Sequence, residues 1–340
     1  MVAVLHMRVI SPRDRTEDAV GYLTAATGVT NLVVLAGAAR DPQGDLILFD
    51  VAREAANHVI DHLKELRVHE DGSIAGEHVD LSLSHAAERA EEEAPGDSDD
   101  AVIWEELAQR VADDCKVTWA FLAFMAIAVQ IAAIGVVVNS PILIVGAMVL
   151  GPEFGAIAAI CFGLLTGHPP VILRALRTLA VGFAAAIAIT LVCALVSRPL
   201  GWLDAGMLNT GHEEVQFIVK PDRWSFIVAL LAGIAGVLSI TAGKSSSLVG
   251  VFISVTTVPA AGYAALGIAL GQWSEVGGSV AQLAVNIAGM IIAGTLTLYA
   301  QRFLWARFGR RAPAALRRTL TAPPGSPRGA GRLHGRMDEP

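Results

Sequence analysis

The sequence predicts a polytopic α-helical membrane protein with a small α+β domain at its N-terminus. Three observations lead there. Apolar residues make up 54% of the 340-residue chain and charged residues 17%, below the roughly 25% usual in soluble proteins. The charge is segregated. Before Lys116 stand 24 acidic and nine basic residues, and after Tyr299 nine arginines face only Asp338 and Glu339. The net charge of −7 therefore averages an acidic head and a basic tail. Finally, from Val117 onward the chain consists of long runs nearly free of charge, each able to supply the ~20 apolar residues of a membrane-crossing helix.

Residues 1–86 read as alternating strands and helices. "MVAVLHMRVI" is strand-like and "RTEDAVGYLTAAT" is a helix with acids in its first turn. "NLVVLAGAA", the turn "RDPQG" and "DLILFDVA" make a hairpin. "REAANHVIDHLKELR" is an amphipathic helix that places Ala56, Val59, Ile60, Leu63 and Leu66 on one face. "EHVDLSLSH" alternates again as the last strand. The order βαββαβ is that of a ferredoxin-like domain. His58 and His62 have helical metal-ligand spacing, but no third ligand accompanies them, so no metal and no cofactor are expected. Cys115, Cys161 and Cys193 match no zinc or redox spacing. The N-terminus lacks the basic start and long apolar core of a signal peptide, which predicts a head that stays in the cytoplasm.

Residues 87–100 read as an acidic linker without core-forming residues. Residues 101–115 form an amphipathic connecting helix whose Val102, Ile103, Leu107 and Val111 lie on the interface or pack on the membrane domain. Residues 116–306 supply six spans, drawn from Val117–Val138, Pro141–Thr166, Thr178–Ser197, Trp224–Gly243, Ser245–Ser274 and Val276–Gln301. Arg110, Lys116, Arg174, Arg177, Lys244, Arg302, Arg307, Arg310 and Arg311 fall on the N-terminal side, against Arg198, Lys220 and Arg223 on the other. Positive residues stay inside, so both termini are expected in the cytoplasm of a bacterial inner membrane. Residues 307–340 read as a disordered basic tail.

The second and fifth spans look alike. Each begins with serine and a Val–Gly step, carries a proline near its centre (Pro152, Pro259) and ends at a glycine. Two units of three spans must enter the membrane in opposite senses, which is the pattern of inverted-repeat transporters with a site at paired broken helices. Proline frees backbone carbonyls, here around Met148 and Val255. Glu153 falls at the first break. An ionised carboxylate facing lipid is costly, so it faces the interior or is protonated. The candidate solute- or ion-binding residues are Glu153, Pro152, Gly151, Gly155, Thr256, Thr257, Pro259, Asn286 and Gln130. Gly151/Gly155, Gly163/Gly167 and Gly267/Gly271 are small-xxx-small pairs suited to close helix contact.

"NSPILIVGAMVLGPEFG" (139–155), "SLVGVFISVTTVPAAG" (247–262) and "LAVNIAGMIIAG" (283–294) resemble an uncharacterised integral membrane family of bacteria, domain of unknown function 389. The resemblance covers roughly residues 100–303, with a similar small head before it. In that family apolar residues usually follow the glycine–proline step, so Glu153 marks a departure. The resemblance implies an integral membrane protein and supplies no substrate. The first expectation is a transporter or channel for a small solute or ion, regulated by its head and embedded in a bilayer as a homo-oligomer. The alternative is a membrane-anchored sensor or scaffold. There are no paired catalytic carboxylates, no HExxH and no Ser–His pair at depth, so no enzyme is expected. "TAGKSSS" lacks the first glycine of a phosphate loop, Leu238 standing in its place. An acidic head argues against nucleic acid.

Overall fold

The computed structural model describes residues 4–79, 82–94, 101–204, 223–241 and 257–308. In the head, β1 (Val4–Ser11) pairs antiparallel with β3 (Gln43–Ala52) on one side and β4 (Ser73–His78) on the other. β2 (Val29–Arg40) pairs with the far edge of β3, so the sheet order is β2-β3-β1-β4. Strand alternation sends Leu5, Met7 and Val9 of β1 and Ile47, Phe49 and Val51 of β3 to one face. There they meet Leu23 of α1 (Arg13–Ala25) and Ala56, Val59, Ile60 and Leu63 of α2 (Arg53–Glu65), the stripe its periodicity predicts.

Two elements differ from the reading of the sequence. The last strand comes earlier than "EHVDLSLSH". A single turn, α3 (Val68–Asp71), ends at Gly72, which lies directly on the backbone carbonyl of Ile10, where any Cβ would collide. That contact starts the pairing with Ser73 opposite Ile10. The acidic stretch also contributes to the core. Residues His85–Glu93 form α4, capped by the Ser84 hydroxyl accepting from the Ala87 N–H. Ala87 and Ala90, three apart, are buried as α4 packs on β2 and β3. Small alanines among glutamates supply a face that composition hides. Residues 95–100 of the expected linker lie outside the described residues.

The connecting helix α5 (Trp104–Asp114) and the residues just before it join the two cores. Ile103 belongs to the head core, whereas Val102, Leu107 and Val111 belong to the core of the helical part. The Asn57 amide closes the joint: it donates to the Val102 carbonyl at 2.7 Å and accepts from the Trp104 N–H at 3.0 Å. Lys64 pairs with Glu105 at 2.8 Å. At the far end the Thr178 hydroxyl donates to the Cys115 carbonyl at 2.6 Å.

The helical part comprises α6 (Trp119–Val137), α7 (Pro141–Leu150), α8 (Glu153–Thr166), α9 (Pro169–Ser197), α10 (Arg223–Thr241), α11 (Thr257–Leu270) and α12 (Trp273–Phe308). Four of them, α6, α9, α10 and α12, are long and apolar enough to cross a membrane. The pair α7–α8, bent by 52°, makes a fifth if it is one span. Against six expected spans the described residues thus give four or five; α11 has 14 residues and follows residues 242–256, which lie outside the described residues. Large apolar side chains such as Ile142, Leu173 and Leu296 are exposed on the outside, as lipid contact requires. α8 packs against α5, α9 and α12, and α11 packs against α6, α9 and α12. Arg53 of the head and Arg110 of α5 donate to the Thr241 and Ile240 carbonyls of α10, and these two contacts tie the head to the helices.

Two of the three glycine pairs read as suited to close helix contact, Gly163/Gly167 and Gly267/Gly271, also make corners. Gly167 and Gly271 take φ of +67° and +73° just past α8 and α11. The next N–H, of His168 or Gln272, returns to the carbonyl of Gly163 (3.0 Å) or Gly267 (2.8 Å). A Cβ on Gly163 would lie 2.7 Å from Ile172, and one on Gly267 2.9 Å from Val276. The first glycine of each pair admits the next helix, and the second supplies the left-handed cap.

Because α5 is the shared wall of both cores, Leu107→Ala should lower stability by about 2–5 kcal/mol, the cost of a buried leucine cavity. The thermal midpoint of the detergent-solubilised chain checks this.

Candidate functional site

The site is built where α8 begins. α7 stops at Gly151, whose ψ of 121° is extended, as expected before a proline. Pro152 is the N-cap residue of α8 and Glu153 its first helical residue. Pro259 lies in α11, two residues after the first described residue of that helix. Pro152 therefore starts a helix rather than kinking the middle of one. Met148 is buried near the end of α7; Val255 lies outside the described residues.

Glu153, the first residue of α8, and Thr257 of α11 have no exposed surface. The Thr257 hydroxyl donates to Glu153 Oε1 at 2.6 Å. Glu153 Oε2 has no hydrogen-bond partner among the described residues. It occupies the space a side chain on Gly151 would need, and that side chain would also come within 2.9 Å of Val258. Gly151 is thus a glycine because the carboxylate and Val258 fill its place. The carboxylate sits at the positive end of its own helix, which favours negative charge.

One turn on, Gly155 receives the Asp114 side chain at the end of α5; a Cβ there would lie 2.8 Å from the Asp114 carboxyl. Burial against α8 holds the Asp114 carboxyl above the ordinary aspartate value, opposed by Arg110 and reinforced by Asp113, although part of the residue remains exposed. The Phe154 ring fills the space left by Gly236 on α10.

The structure thus brings Gly151, Pro152, Glu153, Gly155, Thr257 and Pro259 to one junction. Gln130 donates to Cys193 Sγ of α9 at 3.6 Å. Asn286 is buried on α12, and Thr256 lies outside the described residues. In the head the His62 ring stacks on Tyr22 at 3.7 Å, with Nδ1 3.4 Å from Glu65. Sequence reading missed Asp114, which looks like an ordinary exposed acid of an amphipathic helix. It also missed Ser279 and Gln282, which are buried with Asn286 on α12. Their spacing of three and four was the available signal.

Fold and site together define a membrane-associated helical protein with a small α+β head and a buried carboxylate at a helix break. Residues 148–292 match a family model described as Domain of unknown function (DUF389), and that stretch belongs to the family. The uncharacterized protein MJ0678 of Methanocaldococcus jannaschii is 24% identical over 169 residues, 50% of this chain and 50% of that protein. The chain therefore spans about half the length of this curated relative. The relative is archaeal, so the family resemblance carries no bacterial origin with it. No solved structure matches.

Two outcomes follow from this geometry. Thr257→Val removes the donor to a buried carboxyl oxygen and should cost about 1–3 kcal/mol, with Thr257→Ser restoring most of it, read from thermal midpoints in detergent. For Asp114 the folded-state pKa lies above the unfolded 3.8. The folded state then holds its proton longer, and stability falls as pH rises through the window above that value. Asp114→Asn should flatten this part of the stability profile; an unchanged profile would mean the carboxyl is fully hydrated.

Proposed function

We propose that this chain is a transporter or channel for a small solute or ion, with its site at the junction of α8 and α11 and with the head as a cytoplasmic regulator. One observation carries the reading: the first residue of α8 is a wholly buried carboxylate that takes the Thr257 hydroxyl of α11 and whose other oxygen has no partner among the described residues. A protein that needed only an anchor would gain nothing from a carboxylate there, since burying one costs several kcal/mol. A proton or a small cation is the natural charge to offset it.

The helix boundaries support an internal repeat. α8 and α11 end at Thr166 and Leu270, and α9 and α12 start at Pro169 and Trp273. Each pair is separated by the same 104 residues that separate the hydrogen-bonded Glu153 and Thr257. The corner glycines recur at that step as well, Gly163 with Gly267 and Gly167 with Gly271. Packing is reciprocal: α8 lies on α9 and α12, and α11 lies on α12 and α9. On this reading the units are inverted, the Glu153–Thr257 contact lies on their local two-fold, and the apolar residues before α11 complete a sixth span. The sheet order β2-β3-β1-β4 supports a ferredoxin-like head. The basic residues flanking the helices favour cytoplasmic termini. With Glu153 wholly buried, the site is closed and has to open to exchange its ion.

The test is proton flux into liposomes loaded with a pH-sensitive dye, under imposed gradients of potassium, sodium and chloride. The wild type should dissipate a gradient, and Glu153→Gln should slow that at least tenfold while keeping its thermal midpoint. Unchanged flux in Glu153→Gln would make the carboxylate structural. Flux no faster than in empty liposomes would leave a membrane-anchored sensor as the better reading.

A further inference from the structure

A cleft of about 520 Å³ lies between the head and α5, within the roughly 300–1,000 Å³ of small-ligand sites. Its floor is apolar: Leu5 and Met7 of β1, Ile60 of α2, Ile74 of β4 and Ile103 at the start of α5. β4 is the end strand of the sheet order, so its outer backbone N–H and C=O groups have no strand partner among the described residues. Gly76 in that strand keeps the wall thin, since a Cβ there would lie 2.8 Å from Met7 Sδ.

The rim carries both signs of charge. Lys64 faces Glu105 at 2.8 Å, and His78 faces Glu106 at 3.1 Å. All four side chains are between a third and about half exposed. Pairs that open to water contribute little to stability, so their partners are free to exchange for a ligand's charges. An anion alone would meet Glu105 and Glu106, and a cation alone would meet Lys64. A zwitterion satisfies both sides and leaves an apolar substituent for the floor.

We infer that this cleft binds a free α-amino acid with an apolar side chain, its carboxylate on Lys64 and its ammonium group on the α5 glutamates. The same α5 sends Leu107 and Val111 into the helical core and ends with Asp114 on Gly155. An occupant of the cleft therefore presses on the helix that supports the start of α8. On the transport reading that makes the amino acid a regulator, whereas the binding itself stands without transport.

The experiment is isothermal titration of the full-length, detergent-purified chain with L-leucine and L-phenylalanine. The controls are 4-methylpentanoate and 3-methylbutylamine, each of which carries one of leucine's two charges. At least one amino acid should bind saturably, with both single-charge analogues at least tenfold weaker. Lys64→Met and Glu106→Gln should each weaken binding about tenfold or more, because a hydrogen bond to a charged group is lost. Ile74→Trp, which fills the cleft, should abolish binding, and each variant is compared at an unchanged thermal midpoint. Three results would overturn the proposal: no saturable heat at millimolar amino acid, analogues that bind as well as leucine, or binding that survives these variants but disappears in Glu153→Gln. The last would place the amino acid among the membrane helices, where failure of the cleft would not count against transport.

Discussion

A carboxylate with no exposed surface has to be compensated, and the centre of this molecule is arranged around that need. Glu153 stands at the positive end of its helix and takes the Thr257 hydroxyl of α11. That contact requires α7 to end at once, which Pro152 enforces. It also requires Gly151 to carry no side chain and Thr257 to lie level with the start of α8. The bend between α7 and α8 and the glycine at it are thus tied to one buried carboxyl group. Its second oxygen has no hydrogen-bond partner among the described residues.

The head is joined to that centre mechanically rather than tethered to it. α5 is shared between two hydrophobic cores and runs from the head's cleft to the first turn of α8. Asn57 fixes one end of it and Thr178 the turn after the other. Arg53 and Arg110 clamp the same region to the Thr241 and Ile240 carbonyls of α10. A shift of the head by an ångström has few ways to dissipate before it reaches Gly155, because packed interiors move as units.

Much of this was legible in the sequence because it is local. Uncharged runs mark the membrane helices, strand alternation marks β1 and β3, and the Gly–Pro step marks the break. What stayed hidden depends on contacts between distant residues. Nothing near Thr257 indicates that its hydroxyl meets a carboxylate in another helix, and nothing near Asp114 indicates that it lands on Gly155. The start of β4 is set by Gly72 meeting the Ile10 carbonyl, a contact across the sheet. Gly163/Gly167 and Gly267/Gly271 have the spacing of a helix-contact motif, yet they turn corners; spacing alone does not distinguish a glycine that admits a neighbour from one that adopts positive φ.

The central claim is that the Glu153 carboxyl group meets the Thr257 hydroxyl, and a double-mutant cycle tests it most directly. Glu153→Met, Thr257→Val and the double variant are compared with the wild type by their free energies of unfolding in detergent. The account predicts that the two substitutions are coupled by about 0.5–3 kcal/mol, as residues in contact are. Effects that add to within about 0.3 kcal/mol, in variants that still fold, would contradict the junction.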